Sequence, residues 1–195
     1  MRLSRSAIVI RNAQLTDIPA LSGLLVQSFN PGIEEGMGGW LQLLLRLSIQ
    51  ADLQQRFRVH RKQAKQYCCM VAVCASAQED KMAGDQVVGT VEMSLRYQYM
   101  WPSSLPHIYL ANLAVQPQYR RQGIAVSLLE TCETMAMRWG FSNLQLHVRE
   151  DNQVARYLYE RAGYRVKRVE FNLGTLLLQQ PRTLLLCKQL RMERA

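Results

Sequence analysis

Apolar residues along the chain follow two rhythms, strand-type runs and alternations and helix-type spacings of three and four. Ala7-Ile-Val-Ile10 reads as a first strand, and Thr16 or Asp17 is placed to cap a helix carrying Ile18, Leu21, Leu24 and Leu25 on one side. The Gly-rich stretch from Phe29 to Gly39 reads as a loop. Trp40 to Gln66 predicts one or two helices, with Trp40, Leu43, Leu44 and Leu47 as an apolar stripe and a basic part in Arg56, Arg58, Arg61, Lys62 and Lys65. Tyr67 to Ala75 is a continuous apolar run with β-branched residues, the pattern of a buried strand. Gln78 to Asp85 makes a polar turn, and Gln86 to Leu95 supplies the hairpin partner.

Arg96 to Pro106, with its aromatics and two prolines, reads as a loop, and Ile108 to Val115 as the next strand. Gly123 to Trp139 is strongly amphipathic: Ala125, Leu128, Leu129, Cys132, Met135, Ala136 and Trp139 share one face, and Gly140 is the stop. Asn143 to Val148 alternates like a strand. Asn152 to Arg161 predicts a helix with Ala155, Leu158, Tyr159 and Ala162 on one face, ended by Gly163. Two final strands fall near Tyr164–Glu170 and Thr183–Gln189. Helices alternate with strands only in the second half. The expected architecture is therefore an α/β (α+β) fold with a mixed sheet, in one domain of residues 1–195, and not a fully wound parallel sheet.

A chain of 195 residues with 48% hydrophobic content can build a core, which excludes general disorder. The net charge of +9 attracts polyanions in principle. The densest cation cluster, Arg56 to Lys65, contains only Phe57 as an aromatic, so it reads as a solvated helix face and no nucleic-acid partner is expected. No apolar run approaches the roughly 18–20 residues that span a bilayer, so no membrane partner is expected either. After Arg2 and Arg5 only Ala7 to Ile10 are apolar, too short a stretch for a secretory leader. The five cysteines are odd in number, two are adjacent, and none forms a Cys-x-x-Cys pair. They read as reduced core residues of a cytoplasmic protein, and with three scattered histidines no metal site is expected.

The segment that carries chemistry is Val115-Gln-Pro-Gln-Tyr-Arg-Arg-Gln-Gly-Ile-Ala125. A strand ends, the chain turns, and Gly123 allows backbone close to a ligand. A helix then starts with unpaired N–H groups and its positive dipole end aimed at the same place. Arg120 and Arg121 add charge. These are the features of a phosphate-binding turn, although an ordinary strand–helix connection with solvated arginines has the same composition.

In its context this segment resembles the acyl-CoA-binding motif of the GNAT superfamily of N-acetyltransferases: Gln or Arg, two residues, Gly, one residue, then Gly or Ala. Here these are Arg120, Gly123 and Ala125, and Leu113, Val115 and Pro117 match the preceding strand and turn. Asn152, Ala155, Tyr159, Gly163 and Tyr164 match the second family motif at full spacing, and Ile10, Arg11, Ala13 and Asp17 resemble the family's first strand and helix. Residues 67 to 170 carry most of the likeness. The resemblance implies the GNAT fold, a twisted mixed central sheet of about six to seven strands flanked by helices, and acetyl-CoA as cosubstrate. It implies that the amides of Leu113 and Val115 bond the pantetheine arm. The amides from Arg121 through Gln122, Gly123 and Ile124 to Ala125 would wrap the pyrophosphate, with Arg120 holding the turn. Asn152 would hold the pantetheine through its side chain. Tyr159 would sit near the thioester sulfur as the acid for the leaving thiolate; by helical spacing alone it is a core aromatic.

Acetyl transfer needs a neutral amine, so a base must remove a proton. His147 is suited to this by the ordinary imidazole pKa of ~6.5. Leu146-His147-Val148-Arg149 resembles the stretch of N-terminal acetyltransferase catalytic subunits in which the matching His is the base; ribosomal-protein alanine acetyltransferases carry Glu there. Tyr109 falls where some of those enzymes have a substrate-contacting or catalytic Tyr. If both act, the two side chains must face one gap between neighbouring strands. Glu92 is a further base candidate. The resemblance implies direct attack in a ternary complex, and Cys132, on the core face of its helix, is not expected to form an acetyl-cysteine. The likeness extends to plastid and cyanobacterial GNATs and favours a protein or peptide amine, an N-terminus or a lysine, as acceptor. A small-molecule amine and a non-catalytic acyl-CoA-binding module are the alternatives, and a homodimer is a family expectation. The loops Phe29–Gly39 and Phe171–Pro181 are expected to wall the acceptor site. Arg120 and Arg121 lie where the CoA pyrophosphate would bind, Arg149 and Arg156 lie near the Asn152 motif, and CoA, itself a polyanion, thus accounts for part of the +9.

Overall fold

The computed structural model describes residues 8–29, 39–63, 66–74, 86–100, 103–171 and 180–191. The expected turn at 78–85 and nearly all of the two expected acceptor-walling loops lie outside them. The elements are β1 (Ile8–Asn12), α1 (Ile18–Phe29), α2 (Gly39–Gln63), β2 (Tyr67–Cys74), β3 (Gln86–Met100), β4 (Ser103–Val115), α3 (Ile124–Arg138), β5 (Asn143–Arg149), α4 (Gln153–Arg161), β6 (Arg165–Glu170) and β7 (Thr183–Gln189). The strands form a seven-stranded sheet in the order β1-β2-β3-β4-β5-β7-β6. It is mixed, as expected: β4 and β5 pair in parallel, while β1 with β2, β5 with β7 and β6 with β7 pair antiparallel.

One expected element is corrected. Arg96 to Met100 and Ser103 to Pro106 are strand rather than loop, because β3 runs on to Met100 and β4 begins at Ser103; residues 101–102 lie outside the described residues. The aromatic residues in this stretch suit a pleated surface. Pro106 removes a donor, but its fixed φ is compatible with extended backbone. Residues 40–63, expected as one or two helices, lie in the single helix α2.

Two compact units make up the chain, Met1–Glu92 with Asn112–Leu128, and Met93–Ala111 with Leu129–Ala195. In the first, α1 buries Ile18, Leu21, Leu24 and Leu25 against Leu53 of α2, Cys69, Val71 and Val73 of β2, Val87 of β3 and Ala114 of β4. Each fully buried Leu of this kind contributes about 1.5–3 kcal/mol. The α2 face that meets this core carries Ile49, Leu53 and Phe57 at four-residue spacing. The more conspicuous stripe of Trp40, Leu43, Leu44 and Leu47 lies on the opposite side of α2 and is exposed. A side-chain bond from Gln50 Nε2 to Ser22 Oγ, 3.1 Å, ties α2 to α1. In the second unit β5 pairs with β7 from Asn143↔Gln189 to Arg149↔Thr183, and Leu144, Leu146, Tyr164 and Leu186 are fully buried. The edge strand β6 exposes Arg165, Val166, Lys167 and Arg168. Charge on an edge strand blocks pairing with a second sheet, which gives these cations a structural purpose.

The start of α1 shows how local chemistry sets an element. Arg11 Nη1 and Nη2 donate to Asp17 Oδ2 and Oδ1 at 2.7 and 3.0 Å, and the Gln14 N–H donates to Oδ2 at 2.7 Å. Burial by itself pushes the Asp17 carboxyl up, but the Arg11 and Gln14 donors outweigh it and hold the pKa below its ordinary value of 3.8. A carboxyl depressed by folding contributes stability above its unfolded pKa and loses it as pH falls through the folded one. Asp17→Asn is therefore expected to cost about 1–2 kcal/mol at pH 7. Urea unfolding at pH 7 and at pH 3 checks this; the gap from wild type should narrow in acid, and an equal gap at both would show that charge is not what is lost.

Candidate functional site

In the first unit β4 ends at Val115 and is followed by a short 3-10 turn, Pro117–Tyr119, and then by Arg120 to Gly123 before α3 begins. Arg121 at φ 62 and Gly123 at φ 85 are both left-handed. Alternation of this kind turns successive N–H groups toward one side and forms a cup for an anion. A side chain at 123 would meet no atom within 4 Å, so the requirement for Gly there is conformational. The first bond within α3 runs from Ser127 N–H to Gly123 C=O at 3.0 Å, which leaves the amides just ahead of it without helical acceptors. Arg120 Nε donates to the Val115 carbonyl at 3.1 Å, so this guanidinium braces the turn against the end of β4. Arg121, Gln122 and Gly123 are exposed, and Ile124 packs inward. Leu113 and Val115 are half-buried on either side of buried Ala114.

Three neighbours of this turn were not singled out in the sequence. Gln116 anchors it to β3, its N–H on the Val88 carbonyl at 2.9 Å and its Nε2 on the Val87 carbonyl at 2.7 Å. Gly89 lets the start of α3 lie on the sheet: a Cβ there would meet Ile124 Cγ2 at 3.2 Å, the Ala114 carbonyl at 3.3 Å and Leu128 Cδ1 at 3.3 Å. Asn112, left-handed at φ 54, interrupts the pleat of β4. Its Nδ2 donates to Glu92 Oε1 at 2.7 Å, while Glu92 Oε2 accepts from Arg56 Nη1 at 3.0 Å and from Tyr67 Oη at 3.1 Å. Glu92 is 3% exposed. Its oxygens tie Asn112, α2 and β2 together, a structural role beside that of the base considered in the sequence.

In the second unit the parallel register Tyr109↔Gln145 makes His147 the diagonal neighbour of Tyr109. Ile108, Leu110, Leu146 and Val148 are buried on one side of the sheet, so alternation puts Tyr109 and His147 together on the other. Tyr109 Oη lies 2.8 Å from His147 Nδ1. The second ring nitrogen, Nε2, lies 3.1 Å from Glu170 Oε2 at the end of β6. The Arg96 guanidinium sits 3.7 Å from the centre of the Tyr109 ring, and Arg168 bonds the other oxygen of Glu170. Burial pushes the Tyr109 phenol up and Glu170 adds to this, against the opposing charge of Arg96, so the phenol is protonated at neutral pH. The Arg168 hydrogen bond is the main cause that holds Glu170 below the usual carboxylate range, with His147 adding to it against burial. A carboxylate, an imidazole and a phenol are thus linked in series. Glu170 and Arg96 could not be found by spacing, since each comes from a distant strand.

Tyr159, on α4, is buried and meets the Tyr164 ring edge-on at 5.9 Å. Burial, and then the charge of Tyr109, pushes its phenol up to about 12, which suits a group that donates a proton rather than one that is ionised at rest. Asn152 is the N-cap of α4, its Oδ1 accepting from Ala155 N–H at 3.1 Å, which leaves its Nδ2 hydrogens as its capacity for a ligand. Arg149 pairs with Asp151 at 2.7 Å, and Arg156 donates to the Glu150 carbonyl at 3.0 Å. Both brace the β5–α4 turn. All five cysteines are free, and burial raises the Cys68 thiol to about 11. No helix among the described residues is long and apolar enough to cross a membrane.

Comparison with known proteins gives the same picture. Residues 39–164 match the Acetyltransferase (GNAT) family. The GCN5-related N-acetyltransferase 10, chloroplastic, of Arabidopsis thaliana is 36% identical over 107 residues, covering 51% of this chain and 40% of that protein. The chain thus spans less than half the length of this plant relative. Among solved structures, the PaiA N-acetyltransferase of Thermoplasma acidophilum, crystallised with coenzyme A, shares the fold over 94% of this chain and 99% of its own, with a TM-score of 0.65 at 17% identity. The ribosomal-protein-S18-alanine N-acetyltransferase of Escherichia coli does so over 96% and 97%, with a TM-score of 0.59 at 19% identity. With the family pattern covering residues 39–164, most of the chain, the chain belongs to the GNAT acetyltransferase family.

Proposed function

We propose that the chain is an acetyl-CoA-dependent N-acetyltransferase whose acceptor is a primary amine of a peptide or protein. The observation that carries this reading is the 2.8 Å contact between Tyr109 Oη and His147 Nδ1, a phenol and a proton acceptor on the same side of the sheet, in a member of this family. The amides from Arg121 to Ala125, with Arg120 bracing their turn, suit the pyrophosphate. The amides of Leu113 and Val115 and the side chain of Asn152 suit the pantetheine. Acetyl-CoA supplies the activated acyl group. Tyr109 and His147 take the amine proton, and Tyr159 returns one to the leaving sulfur. The family pattern runs across the boundaries of both compact units, which favours one catalytic domain. The free thiols suit a reducing compartment; the Arabidopsis relative is named as chloroplastic.

Charge supports a peptide acceptor over a polycation. Arg96 is exposed and has no carboxylate within ion-pair distance among the described residues, and Arg165, Lys167 and Arg168 are exposed on β6 in the same unit. Turnover of acetyl-CoA is to be measured against peptides varied at the first residue and at internal lysines, with spermidine and an aminoglycoside alongside. Peptides with Asp or Glu next to the reactive amine should exceed the polyamine in kcat/KM by about tenfold or more, since like charges disfavour the polycation. Transfer to spermidine or the aminoglycoside alone would overturn the peptide reading, and CoA binding without transfer to any amine would overturn the enzymatic one.

A further inference from the structure

We infer that Glu170 is a positioning residue of the proposed reaction: it fixes His147 in the tautomer that makes Tyr109, and not the imidazole, the group that meets the amine. This rests on the acetyltransferase reading of the same residues. An ionised carboxylate can only accept hydrogen bonds. Glu170 Oε2, 3.1 Å from His147 Nε2, therefore requires the imidazole hydrogen on Nε2. Nδ1 is then a lone-pair acceptor, and the hydrogen on the 2.8 Å contact belongs to Tyr109 Oη, which donates to it. Both imidazole nitrogens are engaged, so an incoming amine meets the phenol oxygen first.

The charged and titratable groups around the pair are few among the described residues. β6 contributes Glu170 and Arg168, β3 contributes Arg96 against the Tyr109 ring, and α4 contributes the Tyr159 phenol, whose titration is coupled to Tyr109. From β7 the residue opposite His147 is Leu185, which is uncharged. Arg168 keeps Glu170 anionic, so the carboxylate is in its accepting form through the working pH range.

In the step this arrangement supports, the amine nitrogen bonds to the thioester carbonyl carbon and gives a proton to Tyr109 Oη. Tyr109 passes its own proton to His147 Nδ1, and the imidazolium that forms faces Glu170. The C–S bond then breaks, the electron pair leaves on sulfur, and the sulfur takes a proton from Tyr159. Solvent reprotonates Tyr159 and removes the proton from His147, so protons balance over the cycle.

The test combines kinetics with a direct view of the imidazole. Long-range 1H–15N correlation spectra of 15N-histidine-labelled protein report the tautomer of each of the three histidines, with His147 assigned by His147→Gln. Wild type should show His147 protonated on Nε2. In Glu170→Ala that signature should give way to mixed tautomers, with kcat falling about 10- to 100-fold at unchanged KM for acetyl-CoA. Glu170→Gln, whose amide oxygen can still accept from Nε2, should keep the tautomer and recover most of kcat. An Nε2–H tautomer that persists in Glu170→Ala, or a kcat within twofold of wild type, overturns the proposal. If wild type acetylates no amine, the functional reading fails on its own, and the tautomer of Glu170→Ala still decides whether Glu170 sets His147.

Discussion

Replacing Tyr109 by Phe is expected to lower kcat about 100- to 1,000-fold, the range lost when a positioned acid–base group is removed. The substitution deletes a single oxygen. It leaves the ring for Arg96 to cover, and Ile108 and Leu110 remain buried on the opposite side of β4, so the fold should be indifferent to it. It removes both the 2.8 Å contact with His147 Nδ1 and the oxygen that would receive the amine proton. The proposed acetyl-CoA contacts do not include Tyr109, so its KM should stay within about threefold while kcat falls, the pattern of an interaction made in the transition state. Steady-state transfer to the best peptide, with calorimetric titration of acetyl-CoA, separates the two. A Phe variant that turns over within threefold of wild type would remove Tyr109 from the chemistry and leave proton removal to His147 acting on the amine directly.

The second large effect is on stability. Glu92→Ala should cost about 2–4 kcal/mol, because the buried Tyr67 hydroxyl, the Asn112 amide and the Arg56 guanidinium all lose their acceptor. The estimate lies below that for a fully buried pair because the Arg56 side chain is 40% exposed and also bonds Asp52 at 2.6 Å. For a chain of this size the loss corresponds to a fall in Tm of roughly 5–15 °C. Glu92→Gln should be intermediate: it keeps the volume and one acceptor, but its NH2 group must oppose another donor. Thermal and urea unfolding of both variants check this, and a cost under about 1 kcal/mol for Glu92→Ala would mean that the three donors find other acceptors easily.

Spacing in the chain was informative where the chemistry is local. Gly123 could be singled out because a strand, a turn and a helix start in succession, and the left-handed backbone found there is what Gly permits. Asn152 could be singled out because it stands with Ala155, Tyr159 and Gly163 at the fixed spacing of a family motif spanning a single helix. The alternating burial of β5, with Leu144, Leu146 and Val148 inside and His147 outside, is written in the sequence as well. Proline, by contrast, misled. Pro106 suggested a loop where β4 in fact runs, because the need for a backbone donor at a given strand position depends on the neighbouring strand.

Sequence by itself determined the order of the elements, the family, the turn suited to pyrophosphate and the strands that carry Tyr109 and His147, since each depends on residues within a few positions of one another. Only the tertiary structure decided what those residues touch. It turned the Trp40–Leu47 stripe outward, because Leu53 and Phe57 already meet the core from the other side of α2. It set Glu92 in a buried network with Arg56, Tyr67 and Asn112, and it paired Arg149 with Asp151. It brought Glu170 from β6 and Arg96 from β3 to the Tyr109–His147 pair, across 23 residues from His147 in one case and 13 from Tyr109 in the other. Strand order and register bring those atoms together, and neither leaves a periodic trace in the chain.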